Sequence, residues 1–238
     1  MITTRIEDSI AWLQINRPKQ KNALSIELLE QILETLTSFE DNSEVKVIVI
    51  EGKDNFSAGG DLSDMLVDSN EQALELATKI QNIYLNISKI PKPIIAYTKG
   101  VVLGGGLELA LVCDFIIAHS NSIFSMPEAS FGIVPGGGAT QRLKAIIGKQ
   151  NASYLFFTGQ ELSAQRMLEM GLVQKICDKH QDVKSIALSV AKMNTRALKE
   201  LKILLQKDKD FEAESKSFAN LLQTEGQEAI QSFLKRKS

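Results

Sequence analysis

The sequence predicts an α/β fold with crossover connections, and three observations carry that prediction. Short β-branched runs alternate with longer stretches of helical periodicity, glycine-bearing turns separate several of the pairs, and the last part of the chain keeps only the helical pattern. Taken in order, Ile2–Glu7 and Ile10–Ile15 read as two strands joined by a turn at Asp8 and Ser9. Asn16, Arg17 and Pro18 end the second, because proline cannot donate to a ladder. Ser25 then reads as the N-cap of a helix whose one face carries Leu28, Leu29, Ile32, Leu33, Leu36 and Phe39. Residues 45–50 (VKVIVI) form a strand apolar enough to be buried on both sides, and residues 71–87 place Leu76, Ile80, Ile83 and Ile87 at helical spacing. Pro91 and Pro93 stop that helix, and Ile94 to Tyr97 opens another strand.

From there the arrangement repeats. Residues 92–113 and again 114–147 each run from a β-branched strand through a glycine turn into a helix. A helix from Ser163 ends near Gly171, residues 172–177 read as strand, and everything over 182–237 is helix-forming. The change of architecture falls near Met193. Residues 1–192 are therefore expected to form the α/β core and residues 193–238 a helical tail that packs on its own core or on a neighbouring subunit.

Composition narrows the function. The 238 residues are 44% hydrophobic and 24% charged, which suits a folded chain with a proper core and excludes disorder. Twenty-seven basic against 29 acidic side chains give a formal charge of -2, no field for nucleic acid. Cys113 and Cys177 form no CxxC pair and read as free, buried thiols of a reducing compartment. The N-terminal segment lacks a signal-peptide pattern and no apolar run reaches the roughly 18 residues of a membrane span, so a cytoplasmic protein without membrane contact is expected.

Three glycine clusters stand out: Gly59-Gly60, Gly104-Gly105-Gly106 and Gly136-Gly137-Gly138. None is a dinucleotide fingerprint, since the third glycine falls on Leu109 in one run and on Gln141 in the other. A phosphate loop is excluded because Gly148-Lys149 is followed by Gln150. What is left is exposed backbone. Gly105 at a strand-to-helix junction and Gly60 after Ala58-Gly59 offer two bare N–H groups, which is what an oxyanion hole requires; a tight turn alone is the other reading. Glu108 lies among Leu107, Leu109, Ala110 and Leu111, and Glu128 between Pro127 and Ala129. Carboxylates in such surroundings are either paired structurally or at work. His119 and His180 have no metal-ligand spacing around them, and no GxSxG is present.

These segments together resemble the enoyl-CoA hydratase/isomerase (crotonase) family. The resemblance rests on Asn16-Arg17-Pro18 with Lys21-Asn22-Ala23-Leu24, and on Phe56-Ser57-Ala58-Gly59-Gly60-Asp61-Leu62. It continues through Lys92-Pro93, Gly104-Gly105-Gly106-Leu107-Glu108, Cys113-Asp114 and Met126-Pro127-Glu128, then Pro135-Gly136-Gly137-Gly138-Ala139-Thr140-Gln141-Arg142 and Gly171-Leu172-Val173. It covers nearly the whole chain.

The resemblance implies a crotonase-like spiral of repeated ββα units whose C-terminal helical region builds a homotrimer or a dimer of trimers. It implies an acyl-CoA substrate from lipid metabolism and no separate cofactor, coenzyme A being part of the substrate. By motif position, Gly60 and Gly105 would form the oxyanion hole. Lys21, Ala23, Ala58, Asp61 and Leu62 would line the CoA site, with Gly136 beside the catalytic water. Glu108 and Glu128 would be the catalytic pair adding water syn across the 2,3 double bond of an enoyl thioester, or removing it. A double-bond isomerase or a tailoring enzyme on a CoA or carrier-protein thioester is the alternative within the fold, and a non-catalytic CoA-binding subunit the alternative outside catalysis. Ala139 and Ser63 depart from the family pattern, and the tail is shorter between positions 199 and 218. These departures bear on the floor of the acyl pocket and on the hold on CoA.

Overall fold

The computed structural model describes residues 1–236; the expected helix over 182–237 therefore has its last residue outside the described part. Its framework is a six-stranded sheet of β1 (Ile2–Glu7), β2 (Ile10–Ile15), β3 (Val47–Gly52), β4 (Ile94–Thr98), β6 (Phe115–Ala118) and β9 (Lys175–Ile176), in that spatial order. Only the β1–β2 hairpin is antiparallel; every later pair is parallel. Because strands are added steadily in one direction, crossovers of a single hand place their helices on a single face. That face holds α1 (Ile26–Glu40), α2 (Asn70–Lys89), α3 (Gly105–Leu111), α4 (Ala139–Thr158) and α5 (Ala164–Glu169). The opposite face is covered by α6 (His180–Ala191), which follows the last strand.

Side-chain alternation fills both faces. Leu13, Ile48, Ile50, Ala96 and Ile116 point into the helix-covered core, while Trp12, Val49, Ile95 and Ile117 enter the second core under α6. Burial on both sides explains why these strands read as continuous apolar runs. A smaller sheet of β5 (Val101–Leu103), β7 (Ile123–Ser125) and β8 (Leu162–Ser163) stands beside the first. β5 follows β4 and β7 follows β6, so two successive turns of the chain are ββα units. This matches the spiral expected from the sequence.

Two strand boundaries differ from the expectation. The 45–50 strand begins at Val47, because Val45 N–H bonds back to Asn42 O and its buried side chain packs from a loop. The 172–177 strand shrinks to Lys175–Ile176: the N–H groups of Leu172 and Val173 both return to Met167 O, closing α5 rather than joining a ladder. In the tail, α7 (Thr195–Leu205) is followed by α8 (Phe211–Leu221), which runs through a π-turn at Leu222–Gly226 into α9 (Gln227–Lys235). Lys202 of α7 ties it to the core, donating to Asp114 Oδ2 at 2.8 Å and to Lys92 O at 3.1 Å. No helix among the described residues is long and apolar enough to cross a membrane.

Candidate active site

The site is assembled on the helix-covered side, from segments that follow strands. After β2 the chain turns through Lys21 and Asn22, both at positive φ. Asn22 secures the turn: its side chain accepts from Arg17 N at 2.7 Å and donates to Asn55 O at 2.6 Å. Residues 21–24 then run beside 58–61, with Ala58 N–H on Lys21 O (2.9 Å), Leu24 N–H on Gly59 O (2.8 Å) and Asp61 N–H on Leu24 O (2.9 Å). Lys21, Ala23, Ala58, Gly60 and Asp61 thus fall on adjoining backbones, and the exposed Leu62 opens the next turn. Arg17 clamps the two, donating to Ala23 O at 2.6 Å and pairing with Asp61 at 3.1 Å. A hydrogen bond from the Ser63 side chain, with Arg17 alongside, holds the Asp61 carboxyl below the usual carboxylate range.

Gly104 sits at φ 46°, ψ -120°, a conformation open only to glycine, and turns β5 directly into α3. Gly105 is thereby the first helical residue, whose N–H has no intrahelical acceptor. A β-carbon built on Gly105 would lie 3.2 Å from Gly60 N, and one on Gly59 would lie 3.8 Å from Gly105 N. The two predicted donors are therefore neighbours. Neither N–H meets a protein acceptor among the described residues.

Glu108 lies one turn into α3 and is only 4% exposed. Its Oε1 accepts from Gly137 N at 2.8 Å and from Ala139 N at 3.0 Å, where α4 begins. Burial pushes this carboxyl above its ordinary range, while the two N–H donors and the Arg142 charge pull it back. Glu128 arrives from β7, which pairs with β5 and is fastened by Gly104 N–H on Ser125 O (2.9 Å). A β-carbon on Gly104 would stand 2.6 Å from Glu128 Oε1, so the bare glycine makes room for the carboxyl. Its Oε2 is buried with no hydrogen-bond partner among the described residues. Burial first, and the neighbouring Glu108 charge second, push the Glu128 carboxyl up to about 7.

The model of the enoyl-CoA hydratase/isomerase family matches residues 5–238. The chain belongs to that family. It is 39% identical over 186 residues to crotonyl-CoA hydratase of Syntrophomonas wolfei, covering 76% of this chain and 72% of the relative. It is 32% identical over 243 residues to short-chain-enoyl-CoA hydratase of Clostridium acetobutylicum, covering 97% and 93%. Among solved structures, an enoyl-CoA hydratase subunit from Geobacillus kaustophilus superposes with a TM-score of 0.93 at 32% identity, covering 99% of this chain and 95% of that one.

Against this family background, the structure places Glu108, Glu128, Gly60 and Gly105 around one region, with Gly136 half-buried beside Ile80 of α2. It also reveals groups that sequence reasoning passes over. Ala139 reads as a departure from the family in its side chain, yet the part in use is its N–H on Glu108. Arg142 donates to Gly137 O at 2.8 Å and so steadies the peptide that faces Glu108. Tyr84 of α2, which sequence reasoning misses, donates to Gly105 O at 2.8 Å. A signal for it exists: it continues the Ile80 stripe four residues on. His119 and His180 lie away from this site, His119 beside Asp178 and His180 against Trp12 and Glu51 on the α6 face, and no group of metal-binding side chains occurs among the described residues.

Proposed function

We propose that this chain is an enoyl-CoA hydratase, a carbon–oxygen lyase that adds water syn across the 2,3 double bond of an enoyl-CoA thioester or removes it. The observation that carries the reading is the unequal treatment of two adjacent carboxyls. Glu108 is held by two N–H donors that favour its charged form, while Glu128 has an orphaned oxygen and is poised near neutrality. Two carboxyls set apart in this way suit opposite tasks. In hydration, Glu108 orients and deprotonates the water attacking the β-carbon, and Glu128 gives its proton to the α-carbon. The thioester oxygen, accepting from Gly60 and Gly105 N–H, bears the enolate charge between those events.

The substrate's CoA portion lies along Lys21, Ala23, Ala58, Asp61 and Leu62, and no cofactor beyond the substrate's own CoA is needed. Leu201, Leu205, Phe211, Phe218, Ile230 and Phe233 leave an apolar tail surface exposed, which supports a homotrimer or a dimer of trimers. Light scattering at micromolar concentration checks it, and a monodisperse monomer overturns it. The compartment proposed is the cytoplasm.

Crotonyl-CoA added to purified protein tests the activity: loss of the conjugated enoyl thioester absorbance is expected. No change with crotonyl-CoA, together with binding of the thioester, replaces this reading with a CoA-binding subunit. If Glu108→Gln leaves turnover intact while Glu128→Gln abolishes double-bond migration, the isomerase reading replaces it.

A further inference from the structure

We propose that Tyr84 is a positioning residue that joins the oxyanion hole to the carboxylate site, an inference resting on the hydratase reading above. Tyr84 is 1% exposed and enters from α2, a helix that contributes no group to the chemistry proposed so far. Its hydroxyl donates to Gly105 O at 2.8 Å, and a β-carbon on Gly105 would lie 3.3 Å from that hydroxyl. Its ring meets the other half of the site. A β-carbon built on Gly137 would fall 2.6 Å from Tyr84 Cε2 and 3.0 Å from Glu108 Cδ, so the ring occupies the space any side chain at 137 would need.

Gly137 is the residue whose N–H donates to Glu108, and its carbonyl is held from behind by Arg142. One side chain therefore presses on the peptide that orients Glu108 and hydrogen-bonds the residue carrying the oxyanion N–H. Burial, and then the charges of Glu108 and Glu128, raise the Tyr84 phenol well above its ordinary range, so it stays a neutral donor wherever the two carboxyls titrate. Fixing donors in place before reaction is what makes an oxyanion hole effective. A glycine at 137 and a tyrosine at 84 are two halves of one steric arrangement.

Two measurements test this. Tyr84→Phe keeps the ring and removes the hydroxyl; kcat should fall about tenfold while KM for crotonyl-CoA changes by less than about threefold, the split expected when ordering of the transition state is lost. The same variant should bind acetoacetyl-CoA with a smaller enolate absorbance, a readout of the oxyanion hole that needs no turnover. Unchanged kcat and unchanged enolate signal overturn the proposal, whereas a wild-type protein that ionises bound acetoacetyl-CoA but does not hydrate crotonyl-CoA overturns only the hydratase reading. Gly137→Ala is the second arm. It should weaken the enolate signal in the wild-type background and cost less in a Tyr84→Leu background, where the ring clash is gone and only the 3.0 Å approach to Glu108 Cδ remains. An equal cost in both backgrounds refutes the steric coupling.

Discussion

Two carboxylates of this chain, one buried and one half-buried, lie on opposite faces of one sheet and receive opposite treatment. Glu51, at the end of β3, is 4% exposed and accepts from Arg5 at 3.1 Å and Gln14 at 3.4 Å, with His180 at 3.2 Å on its other oxygen. Arg5 and His180 in turn lie over and beside Trp12, so the network is braced by the second core. Glu128, on the helix-covered side, keeps one oxygen buried without a partner among the described residues. The chain has the means to satisfy a buried carboxylate and uses them on Glu51. On the reading proposed above, the orphaned oxygen of a carboxyl packed against Gly104 serves chemistry rather than packing.

The sharpest way to break that contrast is to neutralise the proposed catalytic pair. Glu108→Gln or Glu128→Gln should slow crotonyl-CoA hydration by about 10²–10⁴ with modest change in acyl-CoA binding, and the double variant should lose less than the product of the single losses. Gly105→Val follows: its branched side chain would crowd Gly60 N, and loss of one donor alone costs roughly 10²–10³ in rate. A folded Gly105→Val enzyme with full activity would place the oxyanion donors elsewhere. On the other face the effects should exchange. Glu51→Gln removes a charge-assisted network and should cost about 1–3 kcal/mol in denaturant unfolding while hydration stays within about twofold. Substantial rate loss there would end the distinction.

The smallest effect is the most discriminating. Glu128 is raised in the fold, so its protonated form is favoured; its ionisation burdens the native state increasingly as pH rises from the ordinary carboxylate range through about 7. Glu128→Gln should therefore raise Tm by a few degrees at pH 8 and lose that advantage below about pH 5. Hydration by the wild type should decline as pH climbs through about 7, because the proton to be donated is gone. A flat profile across that range contradicts the assignment of Glu128 as the acid.

Much of this is legible in local sequence pattern. Ser25 does cap α1, accepting from Leu28 N, and the glycine run at 104–106 does open a helix. Glu108 and Glu128 stand out as carboxylates in apolar surroundings along the chain. What the sequence leaves obscure depends on distance in space. Nothing near Glu108 along the chain announces the N–H groups of Gly137 and Ala139 some thirty residues on, and Tyr84 resembles one more residue of an amphipathic helix. The strand expected at 172–177 misleads because apolar residues that close a helix resemble apolar residues that form a ladder.

The proposed catalytic region draws on positions 21–24, 58–61, 84, 104–108, 128 and 137–142, none of which suffices alone. The loops between them must all close before the first productive geometry exists, and each closure costs entropy that no local contact repays. A partly folded chain with its β1–β2–β3 sheet in place would still be inert. On gentle heating or dilute denaturant the order reverses: loosening of a single crossover disperses the cluster while most of the sheet persists. Turnover should then vanish before circular dichroism registers any change, which makes catalysis the most sensitive reporter of this molecule's integrity.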